Sequence, residues 1–161
     1  MISLDFMDRV EMFKGLNDDQ LKAIQDIAES VEFEKGDIIF KHGEPAENLW
    51  IVVEGEIQFL CEISQDVQKD VCEPLSFISS AQCYGWHCFV PPYQYRLTGY
   101  CASRSCKLIR LKKQDLEAMF ADDPKMGFAM MQYTLNAIGT QFQELQDEIA
   151  RRIGQEIMTQ W

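Results

Sequence analysis

The sequence predicts a mainly β fold, a roll or barrel, held between helices at both ends of the chain. Three observations predict it. Between residues 31 and 111 short apolar stretches recur, separated by glycine-centred turn clusters. Before and after that span the apolar residues recur at helical spacing instead. Over 161 residues the composition, 47% hydrophobic and 25% charged, is that of one globular core.

The N-terminal helices come first. Phe6, Val10 and Phe13 suggest a short helix ending near Gly15. Asn17 can cap a second helix, with Gln20 three residues later completing a capping box and Leu16 placed to staple onto Leu21. Asp18 and Asp19 then occupy the first turn, where the helix dipole favours acids. Leu21, Ile24, Ile27 and Ala28 make one apolar face.

The strands follow. Val31 to Glu34 alternates, Gly36-Asp37 turns the chain, and Ile38-Ile39-Phe40 continues it. His42-Gly43-Glu44-Pro45 is a further turn, where His42 is better placed to cap or face solvent than to act as a base. Leu49 to Val53 is an apolar run closed at Glu54-Gly55 and answered by Ile57, Phe59 and Cys61, a hairpin signal. Further strands are expected near 68–74, 81–84, 95–102 and 105–111.

After Leu111 the period is helical to the end. Gln114 to Phe120 reads as a short helix, and Asp123-Pro124 as a break that caps and starts another. That last helix can run from Pro124 nearly to Trp161. Met131, Leu135, Ile138, Phe142, Leu145 and Ile149 step by 4-3-4-3-4, a heptad seam, and Ile153 and Ile157 carry the stripe onward with a drift. The Met126 to Met131 end is expected to pack on the chain's own strands. The outer seam has no internal partner in view and is read as a homodimer contact. The expected organisation is one domain over 1–161: helices over 1–30, a β-roll over 31–112, and C-terminal helices over 113–161.

The formal net charge of −11 argues against a nucleic-acid surface, because phosphate binding draws on clustered Lys and Arg. No apolar run approaches the roughly 18 residues a membrane span needs, and the N-terminus carries no secretory pattern. A cytoplasmic protein with no membrane partner is expected. Cys61, Cys72, Cys83, Cys88, Cys101 and Cys106 form no C-x-x-C, and with two histidines they read as reduced core thiols. No glycine-rich phosphate loop, zinc motif or nucleophile–base pair suggests an enzyme.

The stretch Gly36-Asp-Ile-Ile-Phe-Lys-His-Gly43-Glu-Pro-Ala-Glu-Asn-Leu-Trp-Ile-Val-Val-Glu-Gly55-Glu-Ile resembles the first half of cyclic nucleotide-binding domains. Such domains occur in catabolite activator proteins and protein kinase A regulatory subunits. The resemblance implies an eight-stranded β-roll, a double-stranded β-helix or jelly roll, with N-terminal helices and a long C-terminal helix. It also implies a phosphate-binding cassette in the second half of the roll. There a glycine and a glutamate open a short helix, and an arginine follows about eleven residues after the glycine.

In this chain Gly85 fits that glycine and Arg96 that arginine, while Trp86 stands at the glutamate position and Leu97 follows the arginine, ahead of Thr98. Tryptophan offers one N–H donor and cannot accept from a ribose hydroxyl. The chain resembles a stand-alone bacterial variant of the family with an altered ligand. The residues call for no cofactor and no metal; Trp86 and Leu97 count against a cyclic nucleotide.

Gly85, Trp86, His87, Cys88, Arg96, Leu97 and Thr98 are the expected ligand-site residues, with Tyr93 and Tyr95 as stacking faces. A non-catalytic sensor for a small molecule is the leading expectation. The competing ones are a ligand-free dimerisation or protein-docking module, and a haem, metal or redox sensor drawing on Cys83, His87 and Cys88. Regulators of this family append a helix-turn-helix unit after the long helix, and the chain ends at Trp161 with no room for one, so output through a partner protein or the dimer is expected.

Overall fold

The computed structural model describes residues 3–60 and 76–159; the strand expected near 68–74 lies outside the described residues. Local signals start the helices. The Ser3 hydroxyl accepts from the Phe6 amide at 3.2 Å and caps α1 (Leu4–Met7). Where a longer first helix was expected, the chain breaks and re-forms as a 3-10 turn over Glu11–Phe13. The Asn17–Gln20 capping box is complete, each side chain accepting from the other residue's amide at 3.0 Å, and it opens α2 (Asp18–Ile27).

Among the described residues, eight strands build two four-stranded antiparallel sheets of the β-roll kind. They are β1 (Glu29–Glu34), β2 (Ile38–Phe40), β3 (Asn48–Glu54), β4 (Ile57–Leu60), β5 (Ser76–Ile78), β6 (Cys83–Tyr84), β7 (Thr98–Cys101) and β8 (Ser105–Lys112). One sheet runs β1-β8-β3-β6 and the other β2-β7-β4-β5. The centre of the first is the β3–β8 pair, with Ile51 opposite Ile109 and Val52 opposite Leu108, all four buried. Burial of such β-branched and leucine side chains is what holds the sheets together, at roughly 1.5–3 kcal/mol each.

The β3–β4 corner shows why glycine stands at position 55. Its φ is +86°, and a Cβ there would lie 2.5 Å from the Ser105 carbonyl oxygen. Any side chain would be both strained and obstructed.

Three strands depart from expectation. The strand expected over 81–84 shrinks to β6, because Ala81 turns the chain at φ 67° and Gln82 accepts from the Ser79 amide at 2.7 Å. The strand expected over 95–102 begins only at Thr98, because Tyr95 is drawn into the core. β5 lies beyond the expected 68–74 segment and pairs with β4, Ile57 facing Ile78.

The C-terminal helices are α3 (Lys113–Asp122) and α4 (Pro124–Thr159). Between them Asp123 Oδ1 accepts from the Lys125 and Met126 amides at 3.1 and 3.2 Å. Gln20 Nε2 donates to Asp123 Oδ2 at 2.6 Å, tying α2 to this joint. These donors, Gln20 foremost, hold the Asp123 carboxyl below its ordinary range. Met126, Met130 and Thr134 on α4 are buried against the rest of the molecule. At 36 residues α4 is roughly 54 Å long, well beyond the roll it starts on. No described helix is long and apolar enough to cross a membrane.

Candidate functional site

The segment from β6 to β7 departs furthest from regular structure. Tyr84 ends β6, and Gly85 follows at φ +110°. A Cβ on Gly85 would lie 2.5 Å from the Asn48 carbonyl oxygen, so the chain presses here against the start of β3. The glycine admits a 3-10 turn, Trp86–Phe89, closed by the Cys88 amide donating to the Gly85 carbonyl at 2.9 Å. After a cis Pro91–Pro92 bond, Tyr93 takes φ 58° and Gln94 bridges to Pro45.

The expected ligand residues divide into three groups. Trp86 and Leu97 lie on the wall of a cavity of about 430 Å³. Gly85, His87, Cys88 and Thr98 are buried and off that wall, and Thr98 Oγ1 accepts from the His42 amide at 3.0 Å. Arg96 is exposed, is not on the cavity wall, and has no salt bridge among the described residues.

The two tyrosines expected as stacking faces sit elsewhere. The Tyr95 hydroxyl accepts from Trp50 Nε1 at 3.2 Å and donates to the Asn48 carbonyl at 3.0 Å, while its ring stacks on Phe40 at 4.5 Å. Tyr95 is therefore a strut of the core, and burial pushes its phenol up to about 12. Tyr93 is exposed and carries Lys113 Nζ 3.9 Å from its ring centroid. It faces a separate groove of about 580 Å³ that also contains Arg110 and Lys112. Both of those cations are already paired with Glu29.

The cavity lies between the mouth of the roll and α4. On the roll side it is bounded by Phe59 of β4, Phe77 and Ile78 of β5, and Tyr84, Trp86 and Leu97. On the helix side α4 contributes Tyr133, Thr134, Ala137, Gln141 and Glu144. None of these helix residues was expected from sequence. Their 133–137–141 spacing is a helical face beside the apolar seam, but its small and polar residues give no hydrophobic signal.

Aromatic packing fixes the roll side. Tyr84 stacks on Phe40 at 5.0 Å and meets Phe59 at 4.3 Å. Trp86 stacks on His87 at 3.8 Å with an interplanar angle of 17°. His87 is only 6% exposed, and its Nδ1 finds no hydrogen-bond partner among the described residues. Burial, aided by the Arg96 charge, lowers the His87 imidazole to about 4, so it is neutral at pH 7.

The thiols are equally quiet. Burial pushes Cys83, Cys88 and Cys101 up to about 12, away from the thiolate that metal binding or redox chemistry uses. Among the described residues no three His, Cys, Asp or Glu side chains converge as a metal site would need.

A two-sheet roll with a glycine-opened turn at its mouth and a helix across that mouth defines a class of ligand-responsive domains. The sequence profile of the cyclic nucleotide-binding domain matches residues 30–123, and the chain belongs to that family. No curated protein matches it in sequence.

Among solved structures it is similar to a Geobacter metallireducens protein proposed to bind cyclic nucleotides. The two share 22% identity and a TM-score of 0.72, covering 86% of this chain and 96% of that one. The N-terminal domain of a transcriptional regulator from Streptomyces coelicolor is also similar, at 22% identity and TM-score 0.70, covering 83% and 92%. The sensor domain of the transcriptional regulator DNR from Pseudomonas aeruginosa follows at 16% and 0.69, covering 87% and 91%. At these identities the likeness concerns the fold.

Proposed function

We propose that this chain is a non-catalytic sensor module that takes a small molecule other than an ordinary cyclic nucleotide beneath α4 and pairs with a second copy through the outer part of that helix. One observation carries the reading: α4 both closes the cavity, through Tyr133 to Glu144, and carries the apolar seam. Leu135 is 70% exposed on that seam, Phe142 58% and Leu145 55%, values typical of a helix awaiting a partner. Occupancy of the cavity and pairing of the seam then draw on the same stretch of about three turns of helix. Any preference of the ligand for one helix position is felt reciprocally at the dimer contact.

Trp86 at the glutamate position, Leu97 after the arginine, and the exposure of Arg96 all support an altered ligand. The regulatory relatives and the lack of an evident nucleophile–base pair support a role without catalysis. The described cysteines are unpaired, which suits a reducing, cytoplasmic setting. The acidic charge of −11 supports output through protein contacts in place of direct DNA binding.

Calorimetry with cyclic AMP and cyclic GMP tests the ligand half. No heat at millimolar nucleotide is expected, and saturable binding in the micromolar range would restore the ordinary family ligand. Sedimentation equilibrium tests the other half: the expected species is a dimer, and a monomer at all concentrations would refute the pairing.

A further inference from the structure

The charge inventory of the cavity narrows its ligand further. The described lining includes no lysine, arginine or histidine, and Glu144 is its one Asp or Glu side chain. The other ionisable groups on the wall are held neutral. Burial raises the Tyr84 and Tyr133 phenols and pushes the Cys83 thiol up to about 12.

An anion entering such a space would give up water without gaining an ion partner, and it would meet a carboxylate. The aromatic content points the other way. Phe59, Phe77, Tyr84, Trp86 and Tyr133 offer flat apolar surface around a volume of about 430 Å³, within the range of small-molecule sites. Gln82, Thr134 and Gln141 supply a few polar atoms for orientation. Trp86 thus does more than withhold an acceptor from a ribose hydroxyl. Backed by His87 at 3.8 Å, it is held as a stacking surface.

We infer that the ligand is a planar aromatic or heteroaromatic molecule without negative charge, bound between the aromatic roll mouth and α4. The inference rests on the sensor reading above and specifies its substrate class.

Two fluorescent probes with one skeleton separate charge from shape: neutral N-phenyl-1-naphthylamine, and 1-anilinonaphthalene-8-sulfonate, which adds a sulfonate. With the full chain, the neutral probe is expected to bind saturably at one site per chain. The sulfonate should bind about tenfold more weakly or worse. Glu144→Lys, at the exposed rim, should raise the affinity for the sulfonate relative to that for the neutral probe severalfold. Ala137→Trp, at a half-buried position, should fill the cavity and lose both probes; Gln141→Trp, at the exposed rim, should weaken both and supplies the test should the first variant fail to fold.

Equal or tighter binding of the sulfonate by the unaltered chain overturns the ligand class and leaves the sensor reading standing, whereas saturable binding of cyclic AMP overturns both the ligand class and the exclusion of an ordinary cyclic nucleotide. Failure of both probes and both cyclic nucleotides overturns the two together. Undiminished probe binding in both tryptophan variants places the dye on the α4 seam and overturns the assignment to this cavity.

Discussion

The two ends of α4 have similar residues and opposite surroundings. Near its start Met126 is 2% exposed and Met130 fully buried, whereas Phe142 and Leu145 farther along are more than half exposed. Apolar content alone does not distinguish them; what differs is whether the roll is still beneath the helix. The inner end stabilises the monomer, and the outer end has apolar surface to give to another molecule. Glu148, paired with Arg151 and Arg152 at 2.7 and 2.6 Å, borders the outer seam with charge. The same contrast recurs on a smaller scale between the buried turn at Gly85–Cys88 and the exposed arm that ends at Arg96.

The largest effect is expected from breaking the inner end. Met130→Ala removes a fully buried side chain and should lower stability by about 3 kcal/mol, read from chemical denaturation. Its counterpart, Phe142→Glu, should leave monomer stability within about 0.5 kcal/mol. It should weaken the dimer by about tenfold or more in sedimentation. If Phe142→Glu unfolds the chain, or Met130→Ala leaves it untouched, the two ends are not different in kind.

His87 sharpens the contrast within the site segment. Its imidazole is depressed to about 4 in the folded chain against 6.5 when free, so acid protonates the unfolded chain first. Its contribution is full above pH 6.5 and is lost as pH falls toward 4. His87→Gln should flatten that part of the stability profile by up to about 1.4 kcal/mol per pH unit. An identical profile in the variant would place the imidazole in contact with water. The smallest effect belongs to Arg96→Ala, expected within about 0.5 kcal/mol of the unaltered stability and without change in neutral-probe affinity.

Much of the fold was legible because its signals are local. The Asn17–Gln20 capping box, the Gly55 corner and the Asp123-Pro124 joint each span a few residues and form as read. The candidate site was legible only in outline. Trp86 and Leu97 could be singled out by position, and both line the cavity. The roles of their neighbours could not be read the same way. Tyr95 looks like a stacking face until Trp50 and Asn48, more than forty residues away, claim its hydroxyl. Arg96 could be picked out by register, but its exposure and its place off the cavity wall could not. Tyr133, Ala137 and Gln141 are unremarkable helix residues until α4 lies across the roll mouth.

What the sequence by itself determined was the alternation of short strands and glycine corners, the helical flanks, and an apolar seam with period 3.5. Backbone conformation and side-chain period are properties of neighbours in the chain. Only the tertiary structure decided which part of that seam is covered, which aromatic rings face empty space, and that no described cation lines that space. Those are properties of surfaces meeting across distant positions. They depend on where α4 leaves the roll and on which side chains the core has already engaged.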